Sequence, residues 1–108
     1  MIDRTYFRFM ANAGDISASL SVDRVSVALL DEICLCDAEP LSVTEAMTLA
    51  FIASPATIHR KLDELVEKGL IAHQYEDDNR RTKFLVPTAK ALDHYARLGK
   101  AMREAVRS

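Results

Sequence analysis

The sequence predicts a mainly α fold with one small β-hairpin, an α+β chain in which the hairpin follows a capped helix. Three observations carry this. Ile58, Leu62, Leu65 and Val66 fall at i, i+4, i+7 and i+8, one apolar stripe behind a Ser54-Pro55 start. Gly69 breaks that period, and two β-prone runs, Leu70–Tyr75 and Thr82–Val86, then flank a stretch without apolar residues, Glu76–Arg81. Helical spacing resumes after Pro87-Thr88.

Taken in order, residues 1–20 form an N-terminal arm or short helix. Tyr6, Phe7, Phe9 and Met10 are apolar, whereas Asn12, Gly14, Asp15 and Ser17 break the pattern. Aromatics this close to a terminus need cover from the core or from a second subunit. Ser21 is the expected N-cap of the first firm helix, whose spaced residues are Val25, Ala28, Leu29, Ile33 and Cys36. That helix should stop near Asp37, because Pro40 disfavours the helical conformation at Glu39. Leu41-Ser42-Val43 reads as briefly extended. Ser42 with Glu45 three residues on matches a capping box, so a second helix should run from Thr44 to about Leu49.

The Ser54 helix has Ser at the N-cap and Pro at the first helical position, and it ends with Lys68 and the left-handed terminator Gly69. Thr88 is placed to cap a last helix reaching about Arg107, with Leu92, Tyr95, Ala96, Met102 and Val106 on one side. These residues ask for burial that a chain of 108 residues supplies sparingly. The expected organisation is an arm at 1–20, a central domain at 21–87, and a C-terminal helix at 88–108. The arm and the last helix are both candidates for dimer contacts.

Length allows one core. No apolar run approaches the roughly 20 residues that span a bilayer, and the start MIDRTYFRFMANAG has no long apolar segment. A cytoplasmic location without membrane contact is expected. Net charge is −2, but its distribution is uneven. Residues 1–53 hold three basic and eight acidic side chains, a balance of −5. Residues 54–108 hold eleven basic and eight acidic, a balance of +3. A basic half on an acidic protein is compatible with phosphate contact.

The chemistry concentrates between Ser54 and Leu85. With Ile58, Leu62 and Leu65 turned inward, the opposite face shows Ala56, Thr57, Arg60, Asp63, Glu64 and Glu67. Its first half is small and polar, and its second half is acidic. Small residues let a backbone approach a groove. Ser54, Thr57 and the unbonded first-turn N–H groups can meet phosphate, and Arg60 can read a guanine edge. His59 and Lys61 flank that face, within reach of backbone phosphates. A plain solvated helix face, with Lys61 or Arg60 pairing to Glu64, is the bland alternative. The hairpin tips the balance, because Arg80 and Arg81 at its tip, with Lys83, supply long cations of the kind narrow minor grooves attract. Glu76, Asp77 and Asp78 either orient these arginines or repel phosphate, and both readings stand.

An enzyme is not expected. There is no glycine-rich phosphate loop, no GxSxG and no HExxH. His59, His73 and His94 are far apart, and Cys34 and Cys36 lack zinc-spaced partners, so no metal or cofactor is expected. His73 and His94 read as structural or solvent-facing, and the two cysteines as small buried or half-buried thiols.

The stretch SPATIHRKLDELVEKGLI resembles the recognition helix of MarR-type winged helix-turn-helix regulators, and DDNRRTKFLVPTAKAL resembles their wing, strand and following helix start. LSVTEAMTLAFIA resembles the helix-turn before them, so the resemblance spans roughly residues 41–92. It implies that Ser54, Pro55, Ala56, Thr57, His59 and Arg60 lie on the DNA-facing turns and that Arg80 and Arg81 form the wing tip. It also implies a homodimer on a near-palindromic operator and, often, a small-molecule effector that releases the DNA. The sequence departs from the family pattern at Asn79, where Asp is usual, and at Pro87 and Ala91, where Leu and Gly are usual. The turn Leu49–Ala53 is apolar, glycine-free and longer by one residue. The chain is also short for the family's terminal helices, so an incomplete effector pocket is expected. The reading is therefore a homodimeric, sequence-specific regulator of double-stranded DNA, with Ser54, Pro55, Ala56, Thr57, His59, Arg60, Lys61, Arg80, Arg81 and Lys83 at the interface. The alternative is a winged-helix module for protein–protein contact.

Overall fold

The computed structural model describes residues 3–36, 38–76 and 79–107, and within the hairpin it describes the side chains outside positions 76 and 79–81. The described elements are α1 (Arg4–Ala18), α2 (Arg24–Leu35), α3 (Val43–Ala46), α4 (Pro55–Glu67), β1 (Ile71–Glu76), β2 (Asn79–Pro87) and α5 (Ala89–Arg107). This is a helix-rich chain with one two-stranded antiparallel sheet. It divides into two compact units, Met1–Val22 with Leu92–Ser108, and Asp23–Ala91.

In the Asp23–Ala91 unit, α2, α4 and the hairpin share a core of Leu29, Leu30, Ile33, Ile58, Leu62, Leu65, Leu70, Ile71 and Leu85, all buried. α2 differs from the sequence expectation at its start. Its N-cap is Asp23, not Ser21: the Asp23 carboxylate accepts from the Ser26 N–H at 2.8 Å. Ser21 instead sits at φ 55°, a left-handed backbone. The shifted start goes with an inward face made by Ser26, Leu29, Leu30 and Ile33, while Val25 and Ala28 are half-buried. The helix ends at Leu35 with Cys36 as C-cap, and Asp37, where the sequence put its end, lies outside the described residues. Neither Cys34 nor Cys36 is in a disulfide, and both are half-buried.

The capping box at Ser42 is present in both directions: Glu45 N–H donates to Ser42 Oγ at 3.1 Å, and Ser42 N–H to a Glu45 carboxylate oxygen at 3.1 Å. The helix it starts is shorter than expected, ending at Ala46 rather than near Leu49. The chain continues through tight turns, with Thr48 N–H bonded to Glu45 O and Leu49 N–H to Ala46 O. Ser42 also bridges to Phe84, and Leu85 N–H donates to Leu41 O at 2.8 Å, which anchors this segment beside β2.

α4 starts and stops as its residues dictate. Ser54 accepts from Thr57 N–H, Pro55 takes the first helical position, and Gly69 adopts φ 71° after the Lys68 cap. β1 and β2 pair in register from Ile71↔Pro87 to Tyr75↔Lys83. The register then shifts: Glu76 pairs with Asn79, so positions 80–82 fall between successive pairs as a bulge. The expected tip, Glu76–Arg81, is thus corrected. Glu76 closes β1, and the Asn79, Arg80 and Arg81 backbone already belongs to β2. Asp77 and Asp78 lie outside the described residues.

The unit's base is tied by residues 88–90. Thr88 N–H donates to Leu70 O at 3.1 Å, Thr88 Oγ1 donates to Gly69 O at 2.6 Å, and the Lys90 ammonium donates to Lys68 O at 3.0 Å. Thr88 Oγ1 also accepts from Ala91 N–H at 3.4 Å, capping α5 as expected. On α5 the side that the sequence marks as asking for burial is not the side that the chain itself buries. Ala91, His94, Ala101 and Ala105 are buried, whereas Leu92, Ala96, Met102 and Val106 are exposed and Tyr95 is half-buried. The buried positions follow one another at intervals of three, seven and four residues. They form a narrow seam of mostly small side chains. Tyr6, Phe7 and Met10 of α1 are exposed as well. Among the described residues, no helix is long and apolar enough to cross a membrane.

Candidate nucleic-acid interface

The sequence-derived site falls on two elements of the Asp23–Ala91 unit, α4 and the hairpin. On α4 the first turn is open. Ser54, Pro55 and Ala56 are exposed, and Thr57 is partly so. Ser54 Oγ accepts from Thr57 N–H at 3.4 Å and donates to Thr57 Oγ1 at 3.1 Å, so the hydroxyls hold each other at the helix start. The other first-turn N–H groups have no partner within the helix by geometry, and small side chains leave them approachable. One turn on, Arg60 is exposed, and among the described residues it is in no ion pair.

The flanking cations differ from Arg60. His59 lies 3.5 Å from the Asp63 carboxylate one turn ahead. Lys61 is engaged twice. Its ammonium is ion-paired with Asp23, the N-cap of α2, and with Glu64 at 3.3 Å. Its side chain is only 16% exposed. The Lys61–Glu64 pair is the one that the solvated-face reading of this helix contained. Asp23 is a residue the sequence reading missed. Its carboxyl is lowered from 3.8 to about 2, first by the Lys61 ammonium and then by the Ser26 N–H. The Lys61 ammonium is in turn raised, chiefly by Asp23. The available signal was Asp23 itself, an N-cap residue as good as Ser21 and two positions nearer the apolar run.

On the hairpin, Lys83 is exposed and pairs in register with Tyr75, itself exposed. Arg80 and Arg81 are in the bulged part of β2, and their side chains lie outside the described residues. Beside Lys83 is a cleft of about 470 Å³ lined by Ser42, Val43, Thr44, Thr82 and Lys83. Three hydroxyl side chains and an ammonium thus share one polar recess. In the sequence Ser42 and Thr44 show only as helix-start residues, because nothing there reveals that α3 abuts β2. Among the described residues, no cluster of three His, Cys, Asp or Glu side chains is arranged to hold a metal.

Neither protein-family models nor curated protein sequences give a match. Solved structures do. The S. aureus MepR–DNA complex superposes on 94% of this chain and 82% of its own, with TM-score 0.72 and 16% identity. MarR covers 94% of this chain and 70% of its own, with TM-score 0.62 and 26% identity. The chain has the MarR-type winged-helix fold. The transcriptional regulator Tm0710 from Thermotoga maritima matches with TM-score 0.73 and 16% identity over 94% of this chain and 70% of its own. MepR is matched also in its form bound to ethidium bromide, with TM-score 0.75 and 14% identity over 94% of this chain and 72% of its own. These MarR-type structures are of regulators rather than enzymes.

Proposed function

We propose that the chain is a sequence-specific, double-stranded-DNA-binding transcriptional regulator that acts as a homodimer. The observation that carries this is the fold match to a regulator solved on DNA, MepR, over 94% of the chain. α4 is the recognition helix. Ser54, Pro55, Ala56 and Thr57 approach the major groove, Arg60 reads a base edge, and His59 sits at the phosphates. Lys83, Arg80 and Arg81 carry the wing to the adjacent minor groove or backbone.

The dimer draws on residues 1–20 and 88–108. Among the described residues, six of the nine exposed large apolar side chains lie there: Tyr6, Phe7, Met10, Leu92, Met102 and Val106. Two copies would then read half-sites about one helical turn apart. A small-molecule effector is part of the same proposal, since MepR is also solved with ethidium bromide. Selection of bound sequences from a random DNA pool tests the reading. A palindromic consensus is the expected result, and no enrichment would overturn it.

A protein–protein module is the second reading. The acidic far half of α4, with exposed Asp63 and Glu67, favours it. Heparin retention at low salt separates the two, because an interaction module without phosphate contacts would flow through.

A further inference from the structure

We propose that Lys61 is a positioning residue and not a DNA contact: pinned by Asp23 at the start of α2, it locks the rotation of α4 and so holds the Ser54–Arg60 face outward. The inference deepens the DNA-binding reading above and rests on it.

Charge is the first argument. Asp23, Glu64 and Lys61 together carry −1, so an approaching phosphate meets a net anion where the sequence places a cation. Burial is the second. A lysine that serves phosphate keeps its ammonium in water, whereas this side chain is 16% exposed and laid toward α2. The third is the state of Asp23 itself. One carboxylate oxygen, Oδ1, takes the Ser26 N–H at 2.8 Å, and the other, Oδ2, takes Lys61. The cap fixes the carboxylate, so Lys61 is held at a fixed point of α2 instead of following a swinging side chain. Helical geometry does the rest. Successive residues lie about 100° apart around an α-helix, so Lys61 held to one flank leaves Arg60 on the outer face. Asp23 thus has two separable jobs, capping α2 and orienting α4.

The two jobs suggest the variants. Asp23→Ser keeps a good N-cap and removes the ion pair. Lys61→Met keeps the stem and removes the charge, and Lys61→Arg keeps both. Affinity is measured by fluorescence anisotropy on the sequence selected by the wild-type full-length protein, across a salt series. Asp23→Ser and Lys61→Met should each weaken binding up to about fivefold, the range of a partly exposed ion pair. The double variant should be no weaker than either single variant, and Lys61→Arg should bind like wild type. The slope of log affinity against log salt should stay at its wild-type value in all of them. If Lys61 touches phosphate, Lys61→Met lowers that slope by about 0.9 while Asp23→Ser binds as tightly as wild type or tighter; that pattern overturns the proposal, as does wild-type affinity in Asp23→Ser.

A second readout needs no DNA. NMR titration of the Asp23 carboxyl should move toward the ordinary carboxylate range in Lys61→Met, and an unmoved titration overturns the clamp. A wild-type protein that selects no DNA sequence would sink the functional reading, and the titration would still decide the clamp.

Discussion

Ser21 and Gly69 both sit in the left-handed region, at φ 55° and φ 71°, but only one of them is a glycine. For Gly69 the cost of a side chain is purely conformational, because a Cβ there would meet nothing within 4 Å. Gly69→Ala should therefore destabilise the chain by about 1 kcal/mol, with Gly69→Asn costing less, as read by thermal or urea unfolding. Ser21 carries a comparable strain already. Ser21→Val, β-branched at positive φ, should cost about 1–2 kcal/mol more, whereas Ser21→Gly should be tolerated. Asp23 makes a pH prediction. Its folded-state value of about 2 lies below the ordinary 3.8, so the ionised carboxylate stabilises the fold at every pH above the ordinary value. That contribution is lost as pH falls from about 4 toward about 2. Asp23→Asn should flatten the acid limb of an unfolding-against-pH curve in that window, and an unchanged limb would contradict the assignment.

At the scale of elements, α4 was the most legible part of the sequence, since Ser54, Pro55, the Ile58–Leu62–Leu65 stripe and Gly69 all act within one helix. α3 was less so. The Ser42 capping box is local, but past Ala46 the chain leaves the helix for successive tight turns, Thr48 N–H to Glu45 O and Leu49 N–H to Ala46 O. The hairpin tip was misplaced for a related reason. Composition marks Glu76–Arg81 as polar, but pairing extends through Glu76↔Asn79 across a bulge that no composition reveals. On α5, periodicity marks the side offered for dimer contact and not the side that the chain itself buries. Alanines make the seam, and a hydrophobicity pattern is drawn to Leu92 and Met102 instead. The tie between the end of α4 and the start of α5 predicts a specific sensitivity. Thr88→Val removes a hydroxyl that donates to Gly69 O at 2.6 Å and caps Ala91, so it should cost about 1–2 kcal/mol, and Thr88→Ser should restore most of it.

For the whole molecule, the two surfaces proposed to meet partners differ in chemistry. The terminal segments expose apolar side chains, among them Phe7 at 58%, Met102 at 55% and Val106 at 76%. Met102→Glu with Val106→Glu should shift a dimer toward monomer in sedimentation, and it should weaken a palindromic site far more than a single half-site. The α4 and hairpin surface is polar and sparingly basic. Arg80→Glu with Arg81→Glu should weaken binding to all DNA sequences and lower the salt slope by about 1.8, two phosphate contacts' worth. An electrophoretic shift equal to wild type would remove the wing from the interface.

The sequence by itself determined what depends on neighbours along the chain: the caps at Ser42, Ser54 and Thr88, the Gly69 stop, the strand-forming runs and the order of helix, hairpin and helix. Those features follow from local sterics and from hydrogen bonds spanning three or four residues, and a sequence displays them directly. Tertiary structure decided what depends on residues far apart. It brought Asp23 to Lys61 across 38 positions, and so gave an ion-pair partner to a cation that spacing alone places beside the phosphates. It also placed Ser42 and Thr44 beside Lys83 and chose the alanine seam of α5. Charge pairing and close packing are set by distance in space, and periodicity along a chain reports only which face a residue is on, not what meets it there.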